Sequence, residues 1–376
     1  MRRSARVGIN ASIVGERPSG LGVYSVKLLR ALDQVREDFL AYTSEPKAFG
    51  SLRARVCLAP AAVRPERGRW GHLVRLLWLQ SSFRLVARTN RFKMVLNTVP
   101  EGILGAGIPQ VTIVHDLVPI LFPDEFPRQH YYFRFVVPQI LRASRIVIAV
   151  SESTRRDVIR AYGLPAERVR VIHSGCDASA YFCNGLHDTS GRPAVPYFLY
   201  VGNLLPHKNL FRLLDALSIL RRRQACRLII RGDGKPFHTR ALRERVETLG
   251  LTDAVTFAGY MSENELRGLY AGATCFLLPS LYEGFGLPVL EAMACGTPVI
   301  TSTASALQEV AGDAALTVPP NDAIGLSEAM YQVLNDRELR DELCRRGLKR
   351  AAAFSWERTA EQVSRLLDEA QSAPKR

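Results

Sequence analysis

Nowhere in these 376 residues does an apolar run reach the roughly 18–20 side chains that cross a bilayer. No secretory leader is expected from the first residues either. After the basic Met1-Arg2-Arg3, the run Arg6-Val7-Gly8-Ile9-Asn10-Ala11 is too short for a signal-peptide core and reads as a first buried strand. The expectation is a cytoplasmic protein. Cysteine is sparse and odd in number: Cys57, Cys176, Cys183, Cys226, Cys275, Cys295 and Cys344, with no C-x-x-C pair. That argues against a disulfide framework or a zinc site and for thiols in a reducing compartment. No Asp-x-Asp pair and no assignable Ser–His–Asp set occur, so neither metal-held phosphate nor a serine nucleophile is expected. Acid is short in the first half only. Residues 1–190 carry 27 Lys/Arg against 15 Asp/Glu, a net +12, whereas residues 191–376 carry 23 against 21, a net +2. A basic half seeks a polyanion or an anionic membrane surface. No nucleic-acid module is recognisable, so nucleic acid is not expected as a partner.

What is present is ordinary globular composition, 47% hydrophobic and 23% charged, at a length that fits two or three domains. Strand-like apolar runs alternate with amphipathic helical stretches in both halves. Strands are expected near Val7–Ile9, Gln110–Val114, Arg145–Val150, Tyr197–Val201, Arg227–Arg231, Ala254–Phe257, Cys275–Leu278 and Pro298–Ile300. Helices are expected over 22–32, 129–143, 211–222, 239–249, 263–271 and 289–294, and Ser262-Glu263-Asn264-Glu265 is a capping box. This alternation means parallel sheets covered on both faces. The expected plan is an N-terminal doubly wound domain over 1–180, a linker at 181–195, and a second doubly wound domain over 196–352. A last helix within 353–376 is expected to cross back to the first domain. Ligands of open α/β sheets bind beyond the carboxyl ends of the strands, here in a cleft between the two domains.

The most informative stretch runs from Pro279 to Ile300, PSLYEGFGLPVLEAMACGTPVI. A buried strand ends at its start, and the Gly284-Phe285-Gly286 loop lets a ligand approach the backbone. Pro288 suits the first helical position, and free N–H groups from Leu287 to Leu290 would seat a diphosphate. Glu283 and Glu291 can face the same ligand; carboxylates repel phosphate, so they are expected to grip sugar hydroxyls.

This segment resembles the E-x7-E signature of retaining family-4 glycosyltransferases of the GT-B fold, two Rossmann-like domains facing a central cleft. The likeness includes both glutamates, the Gly-Phe-Gly-Leu-Pro loop and the Ala-Cys-Gly-Thr-Pro-Val tail. It implies that Glu283 contacts the transferred sugar and Glu291 the ribose of a nucleotide-sugar donor. The run from Gly202 to Asn209 resembles the family's loop after the first strand of the donor domain, which makes Lys208 the clamp on the diphosphate. Many members carry arginine at the position of Asn203 or of His207; this chain has neither, and Arg231 is the candidate replacement. In the first half Ser19-Gly20-Leu21-Gly22-Val23-Tyr24 resembles the family's N-terminal glycine loop, assigning Gly20 and Gly22 to the donor phosphate. His115, in Val114-His115-Asp116-Leu117, is implied to contact the donor sugar, and Asp116 to orient the imidazole or the acceptor.

The resemblance further implies a hexosyltransferase of bacterial surface-polysaccharide synthesis. Its catalytic residues are His115, Lys208 and Glu283, with Gly20, Gly22, Asn203, Arg231, Gly284, Phe285, Gly286, Leu287 and Glu291 on the donor. No cofactor or metal is expected. Mannose from GDP-mannose is the first expectation; a UDP-hexose or GDP-deoxysugar fits the same residues. The acceptor would be a glycan or a polyprenyl-diphosphate-linked chain. Rival readings are a sugar-nucleotide epimerase and a basic nucleic-acid binder. Between Arg67 and Lys93, seven cations interleave with Trp70, Leu73, Val74, Leu77 and other apolar residues, and no acid occurs. Helical spacing puts Trp70, Leu73, Val74 and Leu77 on one face, which fits an anionic membrane surface or a core-facing helix.

Overall fold

The computed structural model describes residues 6–50, 52, 55–105, 107–181, 195–259 and 261–372. The chain divides into two units, Met1–Gly175 with Trp356–Arg376, and Cys176–Ser355. Of the expected linker, residues 182–194 lie outside those described.

The first unit holds seven parallel strands: β1 (Val7–Asn10), β2 (Phe39–Thr43), β3 (Arg55–Leu58), β4 (Met94–Asn97), β5 (Gln110–Val114), β6 (Ile146–Ala149) and β7 (Val169–Val171). Their order is β3-β2-β1-β4-β5-β6-β7, with Ile9 of β1 paired to Ala41 on one side and Leu96 on the other. Val7, Ile9, Leu96, Val111, Ile113 and Val147 are fully buried, as strands covered by helices on both faces must be. The order reverses between β1 and β4, so the loops leaving their carboxyl ends diverge and open a crevice there.

The last helix, Trp356–Ser372, packs on helix Gly20–Val35 within this unit. Trp356 meets Tyr24 edge-on at 5.3 Å, and Thr359 donates to the His173 carbonyl at 2.9 Å. Gly175 allows the crossing, because a Cβ there would collide with the Trp356 backbone. One expected helix, over 129–143, is in fact two, Pro127–Phe135 and Val137–Ala143. Pro138 has no N–H to continue the ladder and its ring crowds the preceding turn.

The second unit holds six parallel strands: β8 (Tyr197–Val201), β9 (Arg227–Arg231), β10 (Val255–Ala258), β11 (Cys275–Leu278), β12 (Val299–Ser302) and β13 (Leu316–Val318). Their order is β10-β9-β8-β11-β12-β13, which reverses between β8 and β11. The loops after those two strands are the two that carry the sequence motifs, Gly202–Asn209 and Pro279–Gly286. The Ser262 capping box forms, with Glu265 accepting the Ser262 N–H at 2.7 Å.

Candidate active site

In the second unit the loops at the strand-order reversal are stitched together by backbone bonds. Leu281 N–H donates to the His207 carbonyl at 2.8 Å. Asn209, in a left-handed conformation (φ 63°), sends its amide to the carbonyls of Pro279 at 3.0 Å and Pro320 at 2.6 Å. An asparagine tolerates that conformation and still offers two donors, so it joins three loops at one point.

The stitching brings Lys208 onto Glu283. Lys208 Nζ lies 2.7 Å from one carboxylate oxygen and 2.8 Å from the other, and both side chains are about six-sevenths buried, 16% and 14% exposed. Ser280 Oγ donates to the same carboxylate at 2.7 Å, and the Glu283 N–H donates to Ser305 Oγ at 2.7 Å. Ser305 is held at φ 51°, a conformation costing of order 1–3 kcal/mol for a residue with a Cβ. A buried cation and anion neutralise each other here without ligand. Each can turn to a partner of its own when a diphosphate and a polyol arrive.

Helix Leu287–Ala294 starts beside this pair. Gly286 sits at φ 112°, and a Cβ there would come within 2.9 Å of Leu307. The expected row of free amides is shorter than the sequence implies. Pro288 is the second helical residue and lacks an N–H, while Val289 N–H returns to the Gly286 carbonyl at 3.0 Å. The Leu287 amide heads this helix, where a first-turn N–H has no intrahelical acceptor. Gly284 and Phe285 are buried, and the Phe285 ring packs edge-on against Phe354 at 5.8 Å, so Phe285 offers a ligand its backbone.

One turn into the helix, Glu291 accepts a hydrogen bond from Tyr270 OH at 3.1 Å and another from Tyr181. Tyr270 is fully buried, and its carbonyl takes the Thr297 hydroxyl at 2.6 Å. Burial, reinforced by Glu291, pushes both phenols above their usual pKa, so each remains a donor. Arg231 ends β9 with its Nε buried and without a hydrogen-bond partner. Its neighbour Gly232 lies so close to Gly202 that a Cβ would collide with the Gly202 carbonyl. Asn203 is exposed, and its carbonyl accepts the Tyr200 hydroxyl at 2.8 Å; His207 is buried.

In the first unit Gly20 and Gly22 follow β1 and His115 and Asp116 follow β5, with His115 reaching the segment after β4. The His115 Nε2 lies 2.8 Å from the Thr98 carbonyl. That oxygen can only accept, so Nε2 carries the proton and Nδ1 is left as an acceptor. Burial lowers the imidazole pKa to about 4, against a partly opposing contribution from the Thr98 bond, so the ring is neutral at physiological pH. Tyr24 packs edge-on to the ring at 4.4 Å. Asp116 accepts the Val118 N–H at 3.0 Å, two residues on, just before a short helical turn. Helix Gly20–Val35 begins at Gly20 with no side-chain cap on its amides, and a Cβ at Gly20 would meet nothing within 4 Å. At Gly22 a Cβ would touch Pro18 at 3.0 Å.

Glu101 was absent from the sequence-level candidates. It stands at the end of the same segment as Thr98, forms a two-pronged ion pair with Arg75 (one contact at 2.8 Å), and takes the Asn10 amide on its carbonyl at 2.9 Å. Burial pushes its carboxyl up, but Arg75 outweighs this and holds it below the usual range. Ser280, Ser305, Asn209 and Tyr270 were likewise not singled out. Among the described residues no group of three or more His, Cys, Asp or Glu could hold a metal ion, and no helix is long and apolar enough to cross a membrane.

Comparison with known proteins covers both units. The family described as Glycosyl transferases group 1 matches residues 189–350, and Glycosyltransferase Family 4 matches residues 18–180. The O-antigen chain mannosyltransferase B of Escherichia coli is 34% identical over 67% of this chain and 68% of its own length. The O-antigen chain mannosyltransferase RfbU of Salmonella typhimurium is 30% identical over 86% of this chain and 90% of its own. Among solved structures, Alr3699/HepE of Anabaena, in complex with UDP-glucose, superposes with a TM-score of 0.74 at 19% identity, covering 96% of this chain and 99% of that one. At that identity the likeness shows the fold, which is GT-B.

Proposed function

This chain belongs to glycosyltransferase family 4, and from that premise we propose that it moves mannose from GDP-mannose, with retention of configuration, to a glycan or polyprenyl-diphosphate-linked acceptor during bacterial surface-polysaccharide synthesis. The observation that carries the reading is the Lys208–Glu283 pair at the strand-order reversal of the second unit, one helical turn from Glu291. Two O-antigen mannosyltransferases of 30–34% identity support mannose as the sugar.

The bond from the anomeric carbon to the diphosphate stretches toward an oxocarbenium-like state. Lys208, Arg231 and the Leu287 amide take up the negative charge that develops on the leaving diphosphate. The acceptor hydroxyl enters on the same face, its oxygen bonds to the anomeric carbon, and its proton passes to the departing phosphate oxygen. Glu283, released from Lys208, accepts hydrogen bonds from sugar hydroxyls. Glu291, held by two phenols, accepts from the ribose. No protein nucleophile and no metal enter this scheme; positioning and charge stabilisation supply the rate. The enzyme would work in the cytoplasm at the membrane that carries a lipid-linked acceptor.

The test is a donor panel of GDP-mannose, UDP-hexoses and GDP-deoxysugars, with nucleoside diphosphate release followed with and without a lipid-linked acceptor. Acceptor-dependent release from GDP-mannose is expected. Acceptor-dependent release confined to another donor would overturn the sugar assignment, and turnover without any acceptor would point to an epimerase.

A further inference from the structure

We propose that the outer face of helix Gly68–Trp78, continued by helix Pro127–Phe135, docks the first unit on an anionic lipid bilayer; the purpose of this docking rests on the reading that the acceptor is lipid-linked. On the first helix Trp70, Leu73 and Leu77 stand 62%, 48% and 61% exposed, a stripe at i, i+3 and i+7. Val74 does not belong to it: it packs inward, against the core around Tyr42, Trp78 and Phe83. On the second helix Tyr131 and Phe135 are 65% and 56% exposed and stack at 6.4 Å with 12° between their planes. The helices are neighbours, since His72 of the first meets Tyr132 of the second edge-on at 4.8 Å. A cluster of this many large apolar side chains on adjacent helices marks an interaction surface.

Charge selects the occupant. Residues 67–93 contain seven cations and no acid. Arg67, Arg69, Arg128 and Arg134 are exposed at this face. Two of them lie over its rings, Arg69 on Trp70 at 5.6 Å and Arg134 on Phe135 at 5.7 Å. Guanidinium groups at the level of Trp and aromatic side chains match the headgroup zone of a bilayer, where rings enter the apolar boundary and cations meet lipid phosphates. Nearby acids are Glu66, which accepts the Arg17 backbone N–H at 3.2 Å, and Asp124 and half-buried Glu125 on the turn before the second helix. The helix does not need the membrane to fold. Its inner side is pinned by the buried Arg75–Glu101 ion pair and by Trp78, so outer-face substitutions leave its anchorage intact.

The experiment is sedimentation with vesicles of phosphatidylcholine alone and of phosphatidylcholine mixed with phosphatidylglycerol. The intact chain is compared with Trp70→Ser/Leu77→Ser and with Arg67→Gln/Arg69→Gln. Wild type is expected to bind the mixed vesicles and to be released by salt. The apolar double variant should bind at least tenfold more weakly, with an unchanged melting temperature and unchanged transfer to a water-soluble acceptor. The arginine double variant should lose its preference for anionic vesicles. Mixed-vesicle binding unaltered in both variants would overturn the assignment of this face and leave the lipid-linked acceptor untouched. Failure of wild type to bind either vesicle would also overturn it, as would self-association without lipid that the apolar variant abolishes, since a second copy would then cover the face. The acceptor-dependent release assay judges the sugar-transfer reading separately.

Discussion

Removing one oxygen atom, in Tyr270→Phe, isolates what holds Glu291. The phenol is fully buried and donates to one carboxylate oxygen at 3.1 Å, and its ring is fixed by Phe276 edge-on at 5.5 Å. Phenylalanine keeps that packing and removes only the donor. A hydrogen bond to a charged group contributes about 1.5–3 kcal/mol. Glu291 keeps its second phenol, Tyr181, so the loss belongs at the low end, about 1.5 kcal/mol, or tenfold in an equilibrium constant. If Glu291 binds ribose, the contact exists in the ground state, and nucleoside diphosphate should bind about tenfold more weakly while kcat at saturating donor stays near wild type. The assay is calorimetric titration of free GDP, run also on Glu291→Gln and on the double variant. The two losses should be non-additive, because both act through one carboxylate. Unchanged GDP affinity in a folded Tyr270→Phe protein, or strictly additive losses, would refute the reasoning.

Three further outcomes follow from the same geometry. The folded state keeps His115 neutral down to about pH 4, whereas the unfolded imidazole takes its proton near 6.5. Stability from this group is therefore present above pH 6.5 and lost as pH falls toward 4, by at most about 3 kcal/mol, and His115→Asn should flatten that part of a melting-temperature profile; an unaltered profile would contradict it. Gly286→Ala forces a Cβ onto φ 112° and against Leu307, and should lower unfolding free energy in urea by about 1–3 kcal/mol while weakening donor binding; a neutral effect would show that the loop relaxes. Transfer activity should survive EDTA with no divalent ion restored, and a complete, metal-reversible loss would overturn the metal-free scheme.

The donor-side loops were legible because their residues form contiguous strings: Glu283 and Glu291 lie in one segment, and Lys208 in another with its own turn signals. The doubly wound plan was legible from alternation, although β2, β3, β4, β7 and β13, each three to five residues long, passed unnoticed. Runs of three to five residues are too short to carry much periodic signal. What stayed hidden depends on tertiary proximity. Arg75 reads as one more cation of a basic helix, yet it is buried on Glu101, a partner 26 positions away. Asn209 reads as the tail of a loop, yet it joins loops 70 and 111 positions on. Tyr270 meets Glu291 only because Thr297 and the helix between them bring the strand ends together. Within the expected row of amides from Leu287 to Leu290, Pro288 has no N–H and the Val289 N–H returns to Gly286.

The central claim is that Lys208 and Glu283 frame the reacting sugar, and Glu283→Gln tests it most directly. The substitution keeps the shape and removes the charge that Lys208 and the sugar hydroxyls meet. A contact that strengthens only as the anomeric bond breaks should cost about tenfold to a hundredfold in kcat, the equivalent of one charge-assisted hydrogen bond. Free GDP lacks the sugar, so the folded variant should bind it about as well as wild type. Weakened GDP binding with kcat unchanged would place Glu283 on the nucleotide instead and contradict the account.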